Sequence, residues 1–202
     1  FFKLTALKGY VGSTEEMYEV QKLIQEEAKA EAEAKAKAEA EAKAKAEAEA
    51  EQEKKLNEIK LIQNEADKYY SAKNYAQAYL FISMLVNLNT SDYNFSLPFK
   101  PEIYQFKLGY MYSQGLGVTA SKENAIMWYT KASNLGSDLA KYNLAILYSE
   151  SFDYTKSFSL YSEVINISTD IYLKSCAFYS IGNIYLYGLS QLKDYEKAKV
   201  NY

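Results

Sequence analysis

Chemistry near neutral pH needs side chains that can move a proton, hold a metal or supply a nucleophile, and this sequence is short of them. It contains no His and no Arg, so all 23 basic residues are Lys. Without imidazole there is no Ser-His-Asp or Cys-His pair and no His-ligated metal site. The single cysteine, Cys176, lies in an apolar helical run and reads as a small core residue; alone it forms neither an internal disulfide nor a zinc site. The acid pairs Glu15-Glu16 and Glu26-Glu27 are adjacent in helix-forming sequence, where simple helix charge explains them. Gly115-Leu116-Gly117 could be mistaken for a phosphate loop, but a third Gly, a preceding strand and a Lys-Ser/Thr pair are missing. No catalytic, metal or cofactor-binding residue is assigned, no cofactor is expected, and the chain reads as a non-enzyme.

What remains is binding or structure. The formal net charge of -3 and pI near 5.3 give no basic footprint for nucleic acid. Hydrophobic residues make up 49% of the chain, enough for a sizeable core, and no run of 18 apolar residues predicts membrane insertion of this segment. Tyr is abundant at 21 residues against one Trp and 9 Phe, a bias that an AT-rich genome produces as readily as selection. The chain begins with Phe1 rather than Met and stops inside a motif at Tyr202, so it reads as an excerpt. Its compartment stays open, intracellular favoured over a secretory lumen, as does its oligomeric state.

The elements are helical throughout. Ser13-Thr14-Glu15-Glu16 predicts a capped helix start, and Met17, Val20, Leu23 and Ile24 follow at helical spacing. From Ala28 to Ala50 the chain repeats an octad of the type AEAEAKAK. On a helix, Glu31 faces Lys35, Glu33 faces Lys37, Glu39 faces Lys43 and Glu41 faces Lys45, each i,i+4 pair adding about 0.2 to 0.5 kcal/mol. Ala at every second position surrounds the helix, leaving no seam for a stable coiled coil. Alternation also fits a strand, but Ala is a poor strand former and the flanks carry helical periodicity into the segment. A helix from about Thr14 to Ser71 would span on the order of 85 Å. It reads as a spacer or arm, or simply as a solvated low-complexity expansion.

Beyond it the sequence repeats. Ala66, Tyr69, Tyr75, Ala78 and Ile82 share their offsets with Ala145, Tyr148, Tyr154, Ser157 and Tyr161, small-into-large contacts of two antiparallel helices. Asn87 to Pro101 predicts an ordered polar loop with two sequons, at Asn89 and Asn94. Leu108-Gly109 recurs as Leu144-Ala145 and Ile181-Gly182, and Tyr112 as Tyr148 and Tyr185, at steps of 36 and 37 residues. Periodicity in that range predicts a helical solenoid.

Residues Leu108 to Gly136, LGYMYSQGLGV followed by KENAIMWYTKASNLG, resemble the Sel-1-like repeat, a subtype of the tetratricopeptide repeat. They match its LG-x-x-Y, G-x-G-V, A-x-x-W-Y-x-K-A and final Gly. A third copy keeps Ile181, Gly182, Tyr185, Gly188, Asp194, Tyr195, Lys197 and Ala198. The middle copy replaces the glycine loop with Glu150 to Asp153, nearer a plain tetratricopeptide repeat, and Phe1 to Gly9 echoes Trp128 to Gly136. The expected fold is therefore all-α: a helix-turn-helix solenoid of Sel-1-like and tetratricopeptide repeats plus a long charged single helix. Its segments are 1–13, the tail of a preceding repeat; 14–64, the long helix; 65–87, a tetratricopeptide-like helix pair; 88–100, a loop; and three repeats at 101–136, 137–172 and 173–202, the last truncated.

Within such units Gly109 and Ala145 admit a close helix, Gly115 and Gly117 relax a loop, Gly136 caps a helix, and Trp128, Tyr129 and Tyr161 fill the core. If the units stack, the first helix of each lines the concave side. Residues there not consumed by the core are the candidate partner-binding set: Tyr110, Ser113, Gln114, Asn143, Ile146, Glu150, Asn183, Leu186 and Tyr187. Asn143 suits the peptide-carboxylate role that the tetratricopeptide resemblance implies, but basic residues are sparse, which argues against a charge clamp. The resemblance implies an interaction scaffold or adaptor for a protein or peptide. The alternatives are a self-associating strut built on the long helix and, more remotely, a repeat-bearing segment of an enzyme.

Overall fold

The computed structural model describes residues 14–88 and 96–187. Among them it holds seven helices: α1 (Thr14–Ser71), α2 (Tyr75–Val86), α3 (Pro101–Gln114), α4 (Lys122–Asn134), α5 (Asp138–Glu150), α6 (Tyr154–Ile167) and α7 (Ile171–Tyr187). No strand occurs among the described residues, which removes the strand alternative for the Ala-Glu-Lys octads. The expected all-α repeat architecture is what the chain adopts. It divides into two units, Phe1–Glu53 and Lys54–Tyr202, with the division falling inside α1.

In the first unit α1 is solvated, and every residue from Lys29 to Ala50 is exposed. Its ion pairs run opposite to the expected order. Lys29–Glu33, Lys35–Glu39, Lys37–Glu41, Lys43–Glu47 and Lys45–Glu49 approach to between 3.8 and 4.0 Å, with Lys on the N-terminal side. The octad gives most lysines a Glu four residues to either side. The preference between the two orders is a fraction of a pair energy of about 0.2 to 0.5 kcal/mol, too small for the pattern to decide.

The second unit is built from three clusters, each shared by successive helices. Ile59 and Ala66 of α1 meet Ala78, Ile82 and Leu85 of α2 and Tyr104, Leu108 and Met111 of α3. Ala125, Tyr129 and Ala132 of α4 meet Ala140, Leu144 and Leu147 of α5, with Phe106 and Tyr112 of α3 packed alongside. Ala145 of α5 joins Tyr161 and Val164 of α6 and Leu173, Ala177, Ile181 and Ile184 of α7. Each fully buried aliphatic side chain contributes about 1.5 to 3 kcal/mol, so every helix pair is held by several of them. Helices α4, α5 and α6 start where side chains cap them: Ser121, Ser137 and Asp153 accept from the backbone N–H groups of Asn124, Ala140 and Lys156.

The signature residues serve packing. A Cβ on Gly109 would lie 2.5 Å from Cδ1 of Tyr129, so the ring occupies the place of the absent side chain. Gly115 caps α3 at φ 67°, and Gly117 (φ 69°) presses its backbone against Tyr75 and Ala76 at the start of α2. The Leu116 N–H donates to the Met111 carbonyl at 2.9 Å, and the Ser121 N–H to that of Tyr112 at 3.0 Å, closing the loop. In the middle copy the three-residue turn Ser151-Phe152-Asp153 does this work, with Phe152 at φ 61°.

Two expectations change. Cys176 is half-buried rather than core, because its place on α7 matches that of the outward-facing Leu139 and Ile103 one and two repeats earlier. The end of the loop before Pro101 is not simply polar: Phe99 is buried and meets Tyr104 edge-on at 5.2 Å, while Pro101 occupies the first turn of α3. The sequons, the echo at Phe1 to Gly9 and the third copy after Tyr187 lie outside the described residues.

Candidate functional site

The first helices of the repeats, α3, α5 and α7, carry the candidate surface. Of the nine residues singled out, Tyr110 is exposed on α3, and Gln114, Glu150 and Tyr187 are exposed at helix ends. Ser113, Asn143, Ile146, Asn183 and Leu186 are half-buried. Several have their polar atoms committed within the array. Ser113 Oγ donates to the Tyr110 carbonyl at 2.9 Å, and Gln114 Nε2 donates to Ser113 Oγ at 3.3 Å. Asn143 Nδ2 donates to the Leu139 carbonyl at 2.8 Å, one turn back on its own helix. Glu150 lies 4.0 Å from Lys122 Nζ. Ile146 packs on the cluster around Tyr161.

A second set emerges from exposure and register. Ile103 is 46% exposed and Leu139, 36 residues later, 47%. Phe106, Tyr142 and Tyr179 form the next equivalent row, half-buried in the first two and 56% exposed in the third. Tyr110, Ile146 and Asn183 form the row beyond. The signal was in the sequence: each row lies at the step set by Leu108, Leu144 and Ile181, and Ile103 and Leu139 stand seven residues before Tyr110 and Ile146.

The ionisable groups of these helices are mostly structural. Lys107 Nζ sits 2.5 Å from Asp67 Oδ1 and 4.8 Å from the ring centres of both Tyr70 and Tyr104. The Tyr104 hydroxyl donates to Asp67 Oδ2 at 2.8 Å, and burial followed by that carboxylate drives its phenol pKa upward. Lys141 Nζ meets Glu163 Oε2 at 2.8 Å. Burial pushes the phenols of Tyr70, Tyr129 and Tyr161 up to about 12. Tyr112 reaches about 12 first through its hydrogen bond with Tyr79, the two hydroxyls being 3.0 Å apart. Each of these tyrosines lies in a packed cluster or an interhelix bond. Among the described residues no group of His, Cys, Asp and Glu could hold a metal ion, and no helix is long and apolar enough to cross a membrane.

Comparison with known proteins agrees with this geometry. The Sel1 repeat is matched over residues 103–137 and 174–202. A sel1-like repeat-containing protein of Acanthamoeba polyphaga mimivirus is 37% identical over 59 residues, 29% of this chain and 11% of that protein. Among solved structures, a protective antigen present in uropathogenic Escherichia coli strains, displaying an SLR fold, has 27% identity and a TM-score of 0.53 over 69% of this chain. A Sel1 repeat protein from Oxalobacter formigenes has 22% identity and a TM-score of 0.50 over 68% of this chain and supports the fold alone. The chain spans only about a tenth of the viral relative, 28% of the antigen and 51% of the Oxalobacter protein. Residues 103–137 and 174–202 are thus similar to the Sel1 repeat, the described residues form an all-helical repeat array, and proteins built of such repeats are in general non-catalytic protein-interaction scaffolds.

Proposed function

We propose that this chain is a scaffold that binds a partner protein on the face formed by α3, α5 and α7, with the Ala-Glu-Lys part of α1 as a solvated spacer. The observation that carries this reading is the repetition in register of apolar side chains that are exposed or only half-buried, Ile103 with Leu139, Phe106 with Tyr142 and Tyr179, and Tyr110 with Ile146. Isolated exposed apolar residues need no explanation, whereas rows continuing from one repeat to the next make a contiguous surface of the kind used for recognition. Tyr supplies apolar area with little rotamer entropy to lose, as interface anchors do.

The test is affinity capture with quantitative mass spectrometry. Tyr110→Glu and Leu139→Glu should each abolish enrichment of the partner recovered with the unaltered chain. Met127→Glu, at an exposed position on α4, should leave it intact. Equal capture by all three variants would move the binding surface elsewhere.

A further inference from the structure

We infer that the occupant of this face is the apolar side of an amphipathic α-helix from a partner protein, rather than an extended or charged peptide. The inference rests on the reading of the α3, α5 and α7 face as the binding surface, and three features narrow the ligand. The first is charge. Beyond Glu102 and Asp138 in their first turns, α3 and α5 carry only Lys107, Lys141 and Glu150, and these are paired with Asp67, Glu163 and Lys122. A ligand therefore meets no uncommitted charge on the central turns of α3 and α5, and α7 adds only Lys174, at the end of its first turn, so a largely uncharged apolar surface complements the face best.

The second is hydrogen bonding. An extended peptide brings backbone N–H and C=O groups that must find partners on the receptor. On this face the Ser113 hydroxyl donates to the Tyr110 carbonyl, and Gln114 and Asn143 each turn one amide N–H back onto the array, to Ser113 and Leu139, which leaves few donors for a ligand backbone. On α7, Ser175 and Ser180 donate to the carbonyls of Ile171 and Cys176. A helix satisfies its own backbone and makes no such demand. The third is spacing. Ile103, Phe106 and Tyr110 stand at i, i+3 and i+7, and Leu139, Tyr142 and Ile146 repeat that spacing on α5. Apolar residues so spaced form the seam against which another helix packs.

The experiment pans a displayed library of random peptides, several helical turns long, against the full chain. Clones are then compared on Leu139→Glu and on the milder Leu139→Ala, both first checked for an unchanged thermal melt. The expected clones carry apolar residues at i, i+3 or i+4, and i+7, gain helicity on binding, and keep their affinity between low and high salt. They lose about tenfold or more on Leu139→Glu and a smaller factor on Leu139→Ala. Clones that lose affinity on these variants, yet carry a fixed charge, weaken steeply with salt or bind without gaining helicity, would overturn the helix while leaving the surface standing. Clones indifferent to both variants would overturn the surface itself. Failure to select any clone, with self-association in sedimentation that Leu139→Glu abolishes, would replace the partner helix by a second copy of this chain.

Discussion

Replacing Gly109 by Ala separates two opposing effects whose sizes are known. In an unobstructed helix the change would stabilise by about 1 kcal/mol, since Ala exceeds Gly in helix propensity by that amount. Here the new methyl would stand 2.5 Å from Cδ1, 2.7 Å from Cε1 and 3.0 Å from Cγ of Tyr129. The ring has little room to retreat: Tyr129 is 1% exposed, and Phe106 packs on it at 5.6 Å between centres. Relief needs a shift approaching 1 Å of ring or helix, and overpacking of a filled core costs about 1 to 3 kcal/mol. With contacts this short the upper end applies, and the net loss is about 1 to 2 kcal/mol. Trp128, the single tryptophan, neighbours Tyr129 and reports this repeat without the signal of α1, so the assay is urea unfolding followed by its fluorescence. Gly109→Ala combined with Tyr129→Leu should recover much of the loss as a positive coupling. Stabilisation by about 1 kcal/mol, as at an open helical glycine, would show that α3 and α4 do not approach as described.

Alanine substitutions at the remaining signature glycines should rank by what surrounds them. Gly117→Ala, with a positive φ and the Tyr75–Ala76 backbone in the way, should cost about 2 to 4 kcal/mol, against about 1 kcal/mol for Gly115 and Gly136, where only the backbone angle opposes a side chain; urea midpoints check the order. Asp67→Ala leaves Lys107 between two aromatic rings without its carboxylate and should destabilise by about 1 to 3 kcal/mol, whereas Lys35→Ala on the solvated helix should change stability by less than about 0.5 kcal/mol. Alkali should unfold the array. The phenols of Tyr129 and Tyr161 are raised in the fold to about 12 from the usual 10, so their contribution is complete below pH 10 and is lost as pH climbs toward 12, roughly 2 to 3 kcal/mol for each. Tyrosinate absorbance and far-ultraviolet circular dichroism should therefore change together in that window, and tyrosine ionisation complete before any loss of structure would contradict the burial.

The array was legible from sequence where one residue type answers one local demand. Gly109 against Tyr129, and Gly115 and Gly117 at positive φ, each follow from the absence of a side chain. Choices between nearly equal partners were not legible. Most lysines of the octads have a Glu on either side, and sequence cannot rank contacts of 3.8 to 4.0 Å that differ by tenths of a kcal/mol. Asn143 presents the same difficulty at the surface. Its type fits a ligand-holding role, yet a side-chain amide on a helix can also turn back to the carbonyl four residues earlier, and its bond to Leu139 takes that course.

Distant pairing was the remaining gap, and it bears on what the face can bind. Nothing local to Lys107 or Lys141 announces that Asp67, 40 residues away, and Glu163, 22 residues away, will take their charges. Read singly, those lysines look like the beginnings of a cationic groove. Once folded they are ties between a first helix and the elements beside it, and what they leave outward on α3 and α5 is Ile103, Tyr110 and Leu139, beside half-buried Phe106 and Tyr142. The scarcity of free cations that argued against a carboxylate clamp in the sequence becomes, in the fold, a reason for an apolar ligand. Affinity at such a face should come from buried area and hardly respond to salt, which is the property the peptide selection measures.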